Sequence, residues 1–284
     1  MRQITNFGDL PQQYLSLQNA GIVVLPVPYD RTSTWLKGAD KGPAAIIEAS
    51  GNMELYDIET DSEVYKKGIF TDAPLDNNIT PEVLVEKVRQ KVRSWLDDNK
   101  FVVVIGGEHS VSIGSAAAHC EKYKDISVLQ LDAHSDLRNE YEGSKFNHAC
   151  VMARIKELCP VVQVGIRSMD VSEKESIEPG RIFFAEVLYN STDWLNDVVG
   201  KLSQKVYITF DLDVFDPSIM PSTGTPEPGG LLWYDILKLL KAVCQHREVV
   251  GFDVTELCPN KDNKAPDFLA AKLIYKLLSY KFAQ

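Results

Sequence analysis

Short apolar runs alternate along this chain with segments of helical periodicity, and this alternation restricts its fold more than any other feature. The runs are rich in Val, Ile and Phe, which is typical of strands buried on both faces of a parallel sheet. The predicted strands are Gly21–Pro28, Phe101–Gly106, Ile126–Leu131, Val161–Ile166, Arg181–Phe184, Val206–Phe210 and Glu248–Val254. The predicted helices are Gly42–Met53, Pro81–Asn99, Val111–Glu121, Ser191–Leu202, Leu232–Gln245 and Ala265–Tyr280. Strands that alternate with helices predict an α/β fold with helices on both sheet faces.

The amino-acid composition is similar along the whole chain. It contains no internal repeat and no shift of composition, so we expect residues 1–284 to form a single domain. The clearest helix signal is Thr80 as N-cap followed by Pro81 at the first helical position. The Pro- and Gly-rich stretch Pro217–Gly230 follows a predicted strand directly, where open α/β sheets usually keep their binding sites.

Composition and charge exclude several classes of partner. The formal net charge is −10 and Lys and Arg are not clustered, which argues against nucleic acid and suits a small cationic substrate. No apolar run is long enough to span a membrane and the N-terminus does not resemble a signal peptide. The five cysteines form no CxxC pair and are read as reduced thiols, so we expect a cytoplasmic protein without a membrane partner.

Ligand-type side chains follow the predicted strand Ile126–Leu131. Asp132, His134 and Asp136 are spaced at i, i+2 and i+4. If the strand continues through them, all three side chains point to one side. Such a spacing predicts that they converge on one ligand.

Two other strand ends supply groups of the same kind. Asp211 and Asp213 end a later strand, and His109 follows a glycine pair that allows a sharp turn. If these ends are neighbours, the carboxylates of Asp132, Asp136, Asp211 and Asp213 crowd into one cleft, where like charges need compensation. Two divalent cations would cancel four negative charges and create a binuclear hydrolytic site. An oxygen-rich ligand set with some nitrogen favours Mn²⁺ over zinc.

At this point the sequence resembles the ureohydrolases, the family of arginase, agmatinase and their relatives. The matching motifs are GGEHS at Gly106–Ser110, DAHSD at Asp132–Asp136, and DLDVFDP with PSTGTPEPGG at Asp211–Gly230. The resemblance covers about residues 21 to 271. It implies a three-layer αβα fold, two Mn²⁺ ions per chain, hydrolysis of a guanidino group to urea and an amine, and a homo-oligomer that is a trimer or a hexamer.

The resemblance also implies roles for individual residues. One ion would be held by His109, Asp132, Asp136 and Asp211, and the other by Asp132, His134, Asp211 and Asp213. Water acidified by both ions would attack the guanidinium carbon, and Asp136 would accept the proton that is released. His148 would carry protons to the departing amine, a role suited by the usual pKa of histidine near 6.5. Glu256 would pair with the planar guanidinium group.

The segment that follows DAHSD indicates which substrate to expect. It looks like that of short bacterial and archaeal agmatinases and lacks the Asn and Ser pattern with which arginases bind an α-carboxylate. Agmatine is therefore the expected substrate, with guanidinobutyrate and arginine as alternatives. Arg138 leaves these alternatives open because it could pair with a carboxylate, and Ala149 and Cys150 depart from the usual Gly and Thr.

Two readings from other classes also stay open. A metal-binding relative without catalysis would lack a ligand, and none is missing from the set above. A mononuclear zinc deacetylase of similar architecture would need one metal, and the additional His109 and Asp136 argue against it. Metal content per chain would separate these readings.

Other polar residues near the motifs have structural interpretations. Asp253 is either a support for the site or a turn cap. Arg167 is interpreted as a structural or subunit-contact residue, Asp216 as a turn former, and the charge run Glu173–Glu178 as a solvated face. Cys150 is interpreted as a small buried apolar side chain.

Overall fold

The computed structural model describes residues 5–191 and 193–283, and its centre is a parallel sheet. The strands are β1 (Ile22–Val27), β2 (Ile69–Thr71), β3 (Phe101–Gly106), β4 (Ile126–Leu131), β5 (Val161–Ile166), β6 (Ile182–Phe184), β7 (Lys205–Asp211) and β8 (Glu248–Thr255). They lie in the order β2-β1-β3-β8-β7-β4-β5-β6, and every pair is parallel. The predicted parallel sheet is therefore confirmed.

Helices cover both faces of this sheet. They are α1 (Gly42–Ser50), α2 (Pro81–Asp97), α3 (Val111–Lys122), α4 (Val151–Lys156), α5 (Ala185–Asn190), α6 (Trp194–Lys201), α7 (Trp233–His246) and α8 (Ala265–Phe282). Helices α2, α3 and α4 pack side by side on one face, and α1, α6, α7 and α8 pack on the other. The result is the three-layer αβα arrangement that the sequence resemblance implies.

The apolar character of the central strands explains their position between two helical layers. Every residue of β1, β4 and β5 is buried. Both faces of a parallel sheet are covered, so its strands are continuously apolar and not alternating. Helix α2 shows the complementary pattern, because its buried side chains recur every three or four residues: Leu84, Val85, Val88, Val92 and Leu96.

Several boundaries differ from the predictions. The edge strand β2 and the short helices α4 and α5 were not predicted, because three to six residues are too few to establish a period. Helix α1 ends at Ser50 and α2 at Asp97, before their predicted ends. Of the predicted helix Ser191–Leu202, residues Trp194–Lys201 are helical, and Thr192 lies outside the described residues. No helix in the described ranges is long and apolar enough to cross a membrane.

Candidate metal centre and active site

The carboxyl ends of the four central strands place the predicted metal-binding and substrate-binding residues together. His109 follows β3, Asp132 follows β4, Asp211 is the last residue of β7, and Glu256 follows β8. Strand β4 lies directly beside β7, whereas β8 separates β7 from β3. Parallel strands end at the same edge of a sheet, so these residues meet although they are distant in sequence.

The regular spacing of the ligand-type residues after β4 suggested that the strand continues through them. The structure shows a loop there instead. The strand ends at Leu131, and Asp136 has a left-handed backbone with φ of 52°. Its carbonyl oxygen accepts hydrogen bonds from the backbone nitrogens of Met152 and Ala153 at the start of α4. The side chains of the loop converge because this anchor folds it back towards the sheet.

A close approach of two backbones places His109. A Cβ atom at Gly107 would lie 1.9 Å from the carbonyl oxygen of Tyr29, so only glycine fits there. The backbone nitrogen of Glu108 then donates to that same oxygen, at 2.8 Å. This turn directs His109 into the cleft between the ends of β3 and β4.

Two groups of potential metal ligands share one residue. His109, Asp132 and Asp211 form the first group, and Asp132, His134 and Asp213 form the second, with the ligand atoms of each group within 4.8 Å of one another. Asp132 belongs to both. Two cations held by these groups would therefore share Asp132 as a ligand.

The ring of His109 provides a test of whether a cation fits. Its Nδ1 atom is buried and makes no hydrogen bond, although it lies 3.1 Å from Asp132 Oδ2, 2.9 Å from Asp136 Oδ2 and 3.5 Å from Asp211 Oδ2. The Nε2 atom lies 2.8 Å from the Thr209 hydroxyl. If the ring gives its hydrogen to Thr209, a nitrogen lone pair faces three carboxylate oxygens. A divalent cation satisfies that arrangement, since nitrogen and oxygen donors then surround it.

Backbone hydrogen bonds orient the second group. His134 Nδ1 lies 2.8 Å from Asp213 Oδ2 and 3.7 Å from Asp132 Oδ1. The other oxygen of Asp213 accepts a hydrogen bond from the backbone nitrogen of Ala133 at 2.9 Å, and Asp211 Oδ1 accepts one from the Asp213 nitrogen. These hydrogen bonds orient both carboxylates.

Burial and the crowding of acidic groups change the pKa values of the carboxyl groups in the site. Burial raises the pKa of Asp211 well above its usual range, and the charges of Asp213 and Asp132 raise it further. Burial and the charge of Asp132 raise the pKa of Asp136 to about 7. Burial opposes ionisation of Asp132 as well, but the neighbouring rings of His109 and His134 lower its pKa. Bound cations would favour the ionised form of both carboxyl groups and so counteract the two raised values.

A hydrogen-bonded chain inside the sheet supports His109. Thr209 Oγ1 donates to Asp253 Oδ1 at 2.8 Å, and the hydroxyl of Tyr207 donates to Asp253 Oδ2 at 2.5 Å. Asp253 lies within β8, so it supports the site and is not a turn cap. Sequence analysis missed Thr209, although its position two residues before Asp211 on the same strand places both side chains on one side.

Four residues of the two groups, His109, His134, Asp211 and Asp213, line a cavity of about 280 Å³. Its lining includes His148 and Glu256 together with Ser33, Trp35, Leu36, Tyr141, Ser168, Met169 and Thr225. Glu256 has a left-handed backbone, and its Oε1 atom accepts a hydrogen bond from the His109 nitrogen at 2.7 Å. Its Oε2 atom lies beside Gly224.

The pKa of His148 differs from the ordinary value near 6.5 that the sequence analysis used. Burial and the neighbouring rings of His134 and His109 lower the pKa of its ring to about 4. At neutral pH the ring is therefore uncharged. An uncharged imidazole is able to accept a proton before it passes one on.

Arg138 occupies the cavity with partners of its own. Its Nε atom lies 3.2 Å from Glu173 Oε1, its Nη2 atom 3.6 Å from Asp170 Oδ2, and its guanidinium group covers the ring of Tyr141. Glu173 is buried and also accepts a hydrogen bond from Ser135. The interpretation of residues 173–178 as a solvated face is therefore wrong for Glu173.

The remaining interpretations of polar residues agree with the structure. Arg167 donates to backbone carbonyl groups of several loop residues, including Asp213 and Glu227, which fits a structural role. Asp216 accepts hydrogen bonds from the nitrogens of Ser218, Gly229 and Gly230, as expected for a turn former. Cys150 is fully buried.

Comparisons with known proteins agree with this geometry. The model of the Arginase family matches residues 20–279. The chain is 39% identical to N(1)-aminopropylagmatine ureohydrolase of Synechocystis, over 99% of this chain and 97% of that protein. It is 32% identical to agmatinase of Pyrococcus horikoshii, over 95% of each. The solved agmatine ureohydrolase of Thermoplasma volcanium superposes with a TM-score of 0.87 and 30% identity, covering 98% of this chain and 94% of that one.

Proposed function

This chain belongs to the arginase family and is a ureohydrolase that acts on guanidino compounds, and we propose that its preferred substrate is agmatine, cleaved to putrescine and urea. The observation that carries the proposal is the pair of ligand groups that share Asp132 in a cavity lined by His148 and Glu256. Such a cavity offers sites for two cations, an acceptor for protons and a carboxylate for a planar cation.

We propose that the chain binds two Mn²⁺ ions. The first would be held by His109, Asp132, Asp136 and Asp211, and the second by Asp132, His134, Asp211 and Asp213. When bound, two such ions acidify water at neutral pH and stabilise negative charge as it develops. Elemental analysis should find two metal ions per chain, and chelation should abolish activity. Full activity with one bound zinc would contradict this proposal and favour the mononuclear alternative.

We also propose roles for the side chains around the substrate. The Glu256 carboxylate pairs with the guanidinium group, because two parallel hydrogen bonds match its planar fork. The Asp136 carboxylate accepts the proton that is released when the guanidinium carbon is attacked. His148 accepts this proton in turn and delivers it to the departing amine, because its ring lines the same cavity as Asp136.

The partners of Arg138 argue for a substrate without a carboxylate. Arg138 is the only Lys or Arg among the described residues that line the cavity, and Glu173 and Asp170 already neutralise it. A guanidino acid would have to displace these partners or bury its carboxylate unpaired, and an unpaired buried charge is costly. The distal ammonium group of agmatine meets no such penalty in an acidic cavity.

A second candidate substrate is supported by the relatives. Proteins named N(1)-aminopropylagmatine ureohydrolase are 39% and 38% identical to this chain, compared with 32% for the agmatinase of Pyrococcus horikoshii. Such a substrate has the guanidino group of agmatine with an aminopropyl group added at N1. It is longer than agmatine but is likewise cationic and has no carboxylate.

Urea release from a panel of substrates tests the proposal. The panel contains agmatine, N(1)-aminopropylagmatine, arginine and 4-guanidinobutyrate, and it is measured for the parent, for Arg138→Ala and for the surface control Arg93→Ala. We expect the two cationic amines to have the highest kcat/KM in all three proteins. A higher value for arginine or guanidinobutyrate that Arg138→Ala abolishes would refute agmatine as substrate and leave the ureohydrolase assignment intact.

We also propose that the chain forms a trimer or hexamer in the cytoplasm. Tyr56, Ile58, Tyr234 and Phe268 are exposed aromatic or aliphatic side chains that line one depression, and such a patch is typical of a protein interface. The five cysteines are all free thiols, which fits a reducing compartment. Light scattering should give a mass above that of one chain, and Ile58→Asp should lower it.

A further inference from the structure

The loop after β1 forms one wall of the cavity and is tied to Glu108, a buried residue next to His109. Glu108 Oε2 accepts hydrogen bonds from the backbone nitrogens of Thr32 and Ser33 at 2.5 and 2.9 Å. Glu108 Oε1 accepts hydrogen bonds from the hydroxyl groups of Thr32 and Ser110, both at 2.6 Å. Four donors therefore converge on one buried carboxylate, and the Thr32 hydroxyl has a fixed direction.

The same hydroxyl contacts His148 in two ways. The oxygen of Thr32 accepts a hydrogen bond from the His148 backbone nitrogen at 2.9 Å and lies 3.3 Å from the Nδ1 atom of the His148 ring. A hydroxyl group has one hydrogen, and Thr32 gives it to Glu108. Its oxygen can then only accept from the ring. The hydrogen of the uncharged ring therefore lies on Nδ1, and the lone pair lies on Nε2.

We propose that Thr32, held by Glu108, is a positioning residue that fixes His148 in the Nδ1–H tautomer. This inference rests on the proposed role of His148 as the proton carrier. With the hydrogen on Nδ1, the Nε2 atom is free to accept the proton released in the cavity and to pass it to the amine. Glu108 and Thr32 thus link the loop that holds His109 to the loop that carries the proton acceptor.

A double-mutant cycle tests this link. Thr32→Val removes the hydroxyl group with little change of shape, and we expect it to lower kcat by about 10- to 100-fold, the range typical of partners that orient a metal-bound imidazole. Thr32→Ser, which keeps the hydroxyl, should retain most of the activity. In a His148→Asn background, Thr32→Val should cause no further loss, because it acts through the ring that is already absent.

Thr60→Val is the matched control, since the Thr60 hydroxyl also donates to a carboxylate, that of Asp57. Its kcat should equal that of the parent. Metal content of Thr32→Val should also match the parent, because Thr32 contacts neither ligand group. Parental kcat in Thr32→Val, or losses that multiply in the double variant, would overturn the inference.

A spectroscopic measurement tests the tautomer of His148 without relying on enzyme activity. ¹⁵N NMR of the protein loaded with a diamagnetic divalent ion, with His148→Asn for assignment, should show the ring hydrogen of His148 on Nδ1. In Thr32→Val it should shift towards Nε2. A parent ring with its hydrogen on Nε2 would refute the tautomer, whereas a parent that releases no urea from any substrate would refute the proposed function instead.

Discussion

The Nε2 atom of His109 lies 2.8 Å from the hydroxyl oxygen of Thr209, and both residues are buried. Because Thr209 donates its own hydrogen to Asp253, its oxygen accepts from the ring and directs the Nδ1 lone pair towards Asp132 and Asp136. Groups that orient a metal-binding imidazole in this way also raise its basicity.

Thr209→Val should therefore weaken metal binding. We expect a loss of affinity of about 10- to 100-fold, because the ring of His109 would no longer have a fixed tautomer or orientation. Thr209→Ser, which keeps the hydroxyl, serves as the control. Titration of metal into the metal-free proteins measures the effect, and equal dissociation constants for parent and Thr209→Val would show that the hydroxyl does not support the ligand.

Asp211 and Asp216 provide a matched pair of substitutions on one segment. Asp211→Asn removes a charge from a proposed bridging ligand and should lower both metal content and activity. Asp216→Asn changes a turn residue whose oxygens accept from backbone nitrogens, and an amide oxygen retains part of that role. Metal analysis and urea release measure both variants, and equal losses in the two would contradict the separate roles.

His148→Asn should lower turnover while both metal ions stay bound. His148 is proposed to carry protons and belongs to neither ligand group. Loss of a general acid or base typically costs about 10²- to 10⁴-fold in rate. The measurements are kcat with agmatine and metal content of the purified variant. An emptied metal site, or an unchanged kcat, would show that the role is different.

His119 should make the protein less stable in acid. Burial lowers the pKa of its ring to about 4, whereas the pKa in an unfolded chain is about 6.5. Between these two values the unfolded state binds a proton that the folded state does not, so the free energy of unfolding decreases as the pH falls from about 6.5 to about 4. Over the whole window the loss is roughly 3 kcal/mol.

A glutamine in place of His119 does not titrate. Its side-chain amide is able to donate to the Ser115 carbonyl oxygen, as the His119 ring does. Between pH 7 and pH 5, the metal-free parent should lose roughly 2 kcal/mol more stability than metal-free His119→Gln. Denaturant unfolding at both pH values measures this difference. Equal losses in the two proteins would mean that His119 is protonated in the folded state.

The sequence allowed the layers of the fold and the proposed ligand set to be predicted, because both depend on local patterns. Continuous apolar runs indicate buried strands, and ligand-type residues directly after them must meet at one edge of a parallel sheet. The left-handed backbone of Asp136 was not predictable in this way, because its cause is the contact of the loop with α4.

The contacts of Thr32, Glu108 and Glu173 could not be predicted from the sequence either. Thr32 is 76 residues from Glu108 and 116 residues from His148 along the chain, and nothing in its neighbours signals these partners. Glu173 lies in a charged segment that is typical of a surface. Only the packing of the loop after β4 against this segment buries it beside Ser135 and Arg138.

The position of β8 determines when the proposed metal ligands come together during folding. It is the last strand along the chain but lies in the middle of the sheet, between β3 and β7. Before residues 248–255 are synthesised and inserted, the strand that leads to His109 has no neighbour that connects it to the strands of Asp132 and Asp211. Pairing between distant segments is slow compared with local structure formation. Metal ions would therefore find the proposed ligand set only in a nearly finished sheet, and their binding energy would stabilise the end of folding and not its beginning.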